Sequence, residues 1–184
     1  MLPDEKVDIY AAQIMQTPLQ LKQAIDQMLF TGESVAGLDF SIPPGAAPPH
    51  RGKVFHPEGG GLSTPRLPAE GVAQDNTDPV AGWYVGSFED IEWTLSNAPD
   101  VIATAHQISE QICARINEKL TGSATIPTLG AATNTLLIDA TESSAGGNIR
   151  FTSAQCAACY GQPSLCVKDN ANDAWSFYSI LVSE

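Results

Sequence analysis

Apolar residues recur at steps of three and four from Val7 to Leu29, through Tyr10, Ala11, Ile14, Leu21, Ile25 and Met28. That is the period of a helix with one buried face. Pro18 falls inside the run, and Thr17-Pro18-Leu19-Gln20 has the form of a fresh start, with Thr17 as N-cap and Gln20 closing a capping box. The stripe nevertheless keeps its phase from Ile14 through Leu21 to Ile25 and Met28. One helix over 1–31, kinked at Pro18, is therefore expected, with Gly32 as its C-cap.

From 32 to 82 the pattern changes to loop chemistry, with Pro43-Pro44, Pro48-Pro49 and Gly59-Gly60-Gly61 punctuated by apolar residues. A short strand is expected at Lys53-Val54-Phe55. Trp83 to Phe88 and Ile91-Glu92-Trp93 are aromatic and β-branched, as strands are. A second helix is expected next, capped by Asn97, with Pro99 in its first turn and Asp100 against the dipole. Its stripe is Val101, Ala105, Ile108, Ile112, Ile116 and Leu120, and Gly122 ends it. Strands are expected at 135–138 and 148–152, then a cysteine-bearing loop, then a closing strand over 175–182. A single α+β domain over 1–184 follows, with two helices on a mainly antiparallel sheet. There is no internal repeat.

The chain has 184 residues, 43 % hydrophobic and 16 % charged, a composition able to bury a core. Its net charge is −12, from 21 acids against 9 bases spread along the chain. That excess repels phosphate backbones, so no nucleic-acid partner is expected.

Cys113, Cys156, Cys159 and Cys166 are an even set, three of them crowded into one stretch with Gly161 and Pro163. Such a set is a disulfide framework in an oxidising compartment. Three pairings are open. A helical Cys113 would join one of the loop cysteines, and the other two would close a small loop. The start, Met1-Leu2-Pro3-Asp4-Glu5, has no basic or apolar leader, and no stretch approaches the ~20 apolar residues that cross a bilayer. Together with the cysteines this implies that an export segment has been removed.

Val54-Phe55-His56-Pro57-Glu58-Gly59-Gly60-Gly61, Cys113-Ala114-Arg115-Ile116-Asn117 and the aromatic Phe177 to Val182 resemble segments of bacterial prepilin-like proteins. The order of a long N-terminal helix, a sheet and a disulfide-bounded C-terminal region is similar to type IV pilins and pseudopilins. The resemblance implies a pilin-like fold and a structural subunit, major or minor, of a type IV pilus-like or type II secretion-like filament. It implies a bacterial extracellular, cell-surface or periplasmic location. The partners would be other pilin-like subunits, met through the N-terminal helix, with membrane contact only through a preceding apolar segment. Ile9, Met15 and Leu19, off the main stripe, are the assembly contacts this would use. A secreted binding module or adhesin is the second class.

No enzyme is expected. Cys156-Ala157-Ala158-Cys159 is a C-x-x-C, but a thioredoxin-like site would follow a strand and open a helix in a βαβ unit. A four-cysteine zinc site wants two close pairs, and Cys113 has no near partner in sequence. After His56, Pro57, Gly59, Gly60 and Gly61, Leu62-Ser63-Thr64-Pro65 lacks the Lys-Ser/Thr of a phosphate loop, so the segment is expected to be a tight turn. His50, His56 and His106 have no metal spacing and are expected in turns or on the surface, His106 on the polar side of the second helix. Asp169, Asn170, Asn172 and Asp173 form an oxygen-rich loop and are the one weak calcium candidate, although Ala171 breaks the alternation of an EF-hand. No other cofactor is expected.

Overall fold

A computed structural model describes residues 1–73, 79–142 and 147–183. Its first element, α1, runs without a break from Asp4 to Phe30 and passes through Pro18. Pro18 lies on the buried face with Val7, Ala11, Ile14, Leu21, Ile25 and Met28. It removes one intrahelical donor, and packing against the core keeps the helix together across that gap. The end is set by Gly32 at φ +111°. Glu33 N–H donates to the Met28 carbonyl at 3.1 Å and Gly32 N–H to that of Leu29 at 3.2 Å, the paired bonds of a glycine-terminated helix.

The largest departure from expectation is at Val101 to Ile108. This segment is a strand, β2, and not the first half of a helix. Every one of its eight residues is buried. A central strand covered on both faces shows no polar–apolar alternation, and Val101, Ala105 and Ile108 fall by chance at helical steps. The second helix, α2, spans Glu110–Thr121 and starts at Ser109, whose hydroxyl accepts from Ile112 N–H at 3.3 Å. Gly122, at φ +82°, ends it as expected. Asn97, Pro99 and Asp100 belong instead to the connection into β2.

The other strands are β1 (Gly82–Ser87), β3 (Thr128–Leu129), β4 (Ser164–Asp169) and β5 (Ala174–Val182), with a short helix α3 at Thr133–Leu136. They form one sheet in the order β1-β2-β5-β4-β3, antiparallel except for the β3–β4 pair. The strands expected at Lys53-Val54-Phe55, 91–93 and 148–152 shrink to single bridges, Asp39 to Lys53 and Ile91 to Phe151. Residues 135–138 contain the end of α3 and the turn after it. Cys166, expected in a loop, lies on β4.

Both sheet faces are covered. Trp83, Val85, Val101, Ala103, Ala105, Phe177 and Leu181 meet the buried faces of α1 and α2. On the reverse, Ile102, Leu165, Val167 and Tyr178 pack under α3 and the irregular segments around Ile91, Phe151, Cys156 and Cys159. The helices α1 and α2 thus fill one side, and α3 fills the other together with loops joined by aromatic contacts.

Candidate functional site

The four cysteines form two disulfides, Cys113–Cys166 and Cys156–Cys159. The first ties α2 to β4, with both residues fully buried. One turn along the same helix face, Asn117 grips the same point of β4: its amide donates to the Cys166 carbonyl at 2.8 Å, and its oxygen accepts from Cys166 N–H at 2.8 Å. Asn117 satisfies the strand's backbone at a point that β3, paired only with Lys168 and Asp169, does not reach. Cys113, Ile116 and Asn117 therefore act together as cross-link, core residue and backbone clamp. The Cys156–Cys159 bridge closes a single turn of 3-10 helix on the opposite face, beneath Ile91 and Phe151.

The glycine segment folds back on residues 53–56. Gly60 N–H donates to the Lys53 carbonyl at 2.9 Å, and Gly59 and Gly61 N–H both donate to that of His56. A Cβ on Gly59 would lie 2.0 Å from the Lys53 carbonyl oxygen, and one on Gly60 2.4 Å from that of Val54. Close backbone approach requires those two glycines, while only Gly61 has positive φ, at +72°. Pro57 lies in the turn between them, and His56 accepts from Glu58 N–H at 3.1 Å.

The His56 ring stacks on that of His50, with centroids 3.8 Å apart. Beside them Lys53 is buried, and its ammonium donates to the Gly45 and Ala47 carbonyls and contacts His50. Lys53, which nothing in the sequence pattern marks, organises the Pro/Gly loop.

His106 is not a surface residue. It lies on β2, buried, with Nδ1 2.8 Å from the Ser176 hydroxyl and the Tyr84 ring at its edge. Burial lowers its pKa to about 4, against the opposing pull of the Asp169 charge.

The weak calcium candidates form the β4–β5 turn. Asp169 is buried, and both its carboxylate oxygens already accept hydrogen bonds, from Thr133 N–H, Ala171 N–H and the Asn172 amide. Asp173 pairs with Lys168 at 3.1 Å, and Asn170 is exposed. This is the hydrogen bonding of an aspartate-closed hairpin turn.

A second carboxylate group, absent from the expectations, lies between β1 and β2. Asp100 accepts from Ile91 N–H at 2.8 Å and from the Thr94 hydroxyl at 3.0 Å. Asp90 pairs with Arg150 at 2.6 Å. Glu89 is 5 % exposed, and neither of its carboxylate oxygens has a hydrogen-bond partner among the described residues. Burial, then the negative charges of Asp100 and Asp90, raise its pKa well above the ordinary carboxylate range.

Two surfaces remain. The first is the back of α1, where Ile9 is 54 %, Leu19 61 % and Phe30 91 % exposed. At about 100° per residue these three fall within about 80° of one another, opposite the buried stripe. Met15, expected among them, instead packs against the core. Phe30 joins the surface by standing at the helix end, after the periodic run has finished.

The second is a groove of about 750 Å³ along β1. It is bounded by Leu38, Phe40 and Ile42 from the Pro/Gly loop and by the whole of β1 on through Phe88.

The chain matches no protein-family model, no curated protein and no solved structure in comparison with each.

Proposed function

We propose that this chain is the solvent-facing domain of a type IV pilin-like or pseudopilin-like filament subunit, major or minor. The observation that carries the proposal is α1. It is a 27-residue helix whose one face is seated in the core and whose opposite face holds Ile9, Leu19 and Phe30 in solvent. A single exposed apolar residue needs no explanation. A row of three along a helix, directly opposite the core, is what packing against neighbouring helices uses. The subunit acts by assembly: α1 joins its neighbours, and the disulfide-held sheet faces outwards. Contact with a membrane would come through an apolar segment ahead of α1, because no helix of the described residues is long and apolar enough to cross one.

Two disulfides support an oxidising compartment, hence an extracellular or periplasmic location in a bacterium. A secreted binding module is the second reading, favoured by the groove along β1. The sequence encoded upstream of Leu2 in the native gene separates the two. The filament proposal expects a short basic leader, a cleavage junction and about 20 apolar residues in phase with α1. A cleavable secretory signal would overturn it in favour of the binding module.

A further inference from the structure

His50, Lys53 and His56 form one cluster in the Pro/Gly loop. Lys53 is 7 % exposed, and a lysine ammonium has three protons and no lone pair. Two of those protons go to the Gly45 and Ala47 carbonyls, and the third to Nδ1 of His50 at 3.0 Å. His50 Nδ1 must therefore accept, which fixes that ring as neutral with its proton on Nε2. His56, stacked on it with ring centroids 3.8 Å apart, also accepts at Nδ1, from Glu58 N–H. The next proton that either ring takes can enter only at Nδ1, where a donor already faces it. Turning the ring over gives no relief, because it presents Cδ2, which accepts nothing.

We propose that this cluster is an acid-sensitive latch on the Pro/Gly loop, opened when His50 takes up a proton. Protonation sets an N–H against the Lys53 ammonium, leaves one ammonium proton without an acceptor and puts two cations in contact. A proton on His56 adds a second charged ring, face to face with the first. Burial lowers the His50 pKa, the charges of His56 and Lys53 lower it further, and Glu58 opposes them. Glu58 is exposed, so solvent and salt screen it. The other charges around the loop are already engaged: Asp39 accepts from Ser41, and Arg51 pairs with Glu33 at 2.7 Å. With the folded pKa below the ordinary value of about 6.5, the latch is fully closed above that value and opens as pH falls through the folded one.

Lys53 is the point through which the latch holds the loop. Its N–H donates to the His50 carbonyl at 3.0 Å, and its own carbonyl accepts from Gly60 N–H at 2.9 Å. On either side of it, the Gly52 carbonyl accepts from Asp39 N–H and the Asp39 carbonyl from Val54 N–H. The ammonium, the glycine turn and the 38–42 wall of the β1 groove thus share one anchor. Opening the latch loosens 38–61, while α1 and β5 keep packing that does not pass through Lys53. This inference stands whether the chain is a filament subunit or a secreted module.

The test is NMR of the whole chain between pH 7.5 and 5, reading amide-exchange protection factors and the histidine ring C–H shifts together. His106, with a pKa of about 4, keeps its neutral form over most of this range. His50 is expected to titrate below about 6.5. Protection of the Lys53, Val54 and Gly60 amides should fall about tenfold along the same curve, with α1 and β5 unchanged. His50→Asn offers Lys53 an acceptor oxygen near the place of Nδ1 and has nothing to titrate, so it should remove the pH dependence. The proposal is overturned if those amides are equally protected at both ends of the range, or if their loss follows a midpoint other than that of His50. It is also overturned if His50→Asn keeps the pH dependence, or if α1 and β5 open together with the loop.

Discussion

Glu89 and His106 are buried residues whose charge the fold opposes, and they pull stability in opposite directions. The Glu89 carboxyl has a folded pKa above its unfolded value, because burial and the nearby Asp100 and Asp90 disfavour its anion. Its contribution is therefore fully present below the ordinary carboxylate range and is lost as pH rises through the folded pKa. His106 has a folded pKa of about 4, below the unfolded value of about 6.5. The unfolded chain takes up the proton first, so stability falls as pH drops from about 6.5 to 4, by about 3 kcal/mol at 1.36 kcal/mol per pKa unit. Glu89→Gln should raise Tm at pH 8 by at least about 3 °C, on a scale of 2–4 °C per kcal/mol for a chain of this size. The two proteins should converge near pH 4, where Glu89 is neutral. Thermal scans across that range check the effect, and a variant no more stable at pH 8 would show that the carboxylate is accommodated after all. Neither residue can be recognised in the sequence. Glu89 and Asp90 resemble any acidic loop pair, and His106 lies at a position that a helical reading places in solvent.

At the level of elements, legibility tracks how many faces an element buries. α1 and β5 are readable because each combines an unambiguous period or composition with clear ends, at Gly32 and at the aromatic run from Trp175. β2 is misread because burial on both faces erases the alternation that identifies a strand. β4 is missed because its Ser-Leu-Cys-Val-Lys-Asp follows a C-x-x-C, a glycine and a proline, so that its cysteine suggests a loop. The disulfide framework is legible as a set, whereas its pairing needed the positions of α2 and β4. The two bridges should differ in weight. Cys113–Cys166 spans 53 residues of sequence and Cys156–Cys159 only three. By loop-closure entropy they contribute about 4 and about 2 kcal/mol respectively. Urea unfolding of Cys113→Ser/Cys166→Ser and of Cys156→Ser/Cys159→Ser should rank the losses in that order. The opposite order would mean that the short bridge holds packing that chain entropy does not describe.

For the molecule as a whole, helix, sheet and cross-links place two surfaces on different sides of one core. The groove along β1 was not legible, because it depends on how the Pro/Gly loop folds over a sheet edge through Lys53, Gly59 and Gly60. The back of α1 was partly legible: Ile9 and Leu19 stand out from the stripe, Met15 is drawn to the core edge, and Phe30 is added. Filament assembly through that helix back is tested most directly by cross-linking in the native cell. All four native cysteines are held in disulfides, so Ile9→Cys/Phe30→Cys introduces two free thiols per subunit, both on the exposed face. Mild oxidation should give a ladder of multimers on a non-reducing gel, collapsed by reductant, because each subunit can join two neighbours. A single monomer band, with both thiols still open to alkylation, would contradict assembly through α1.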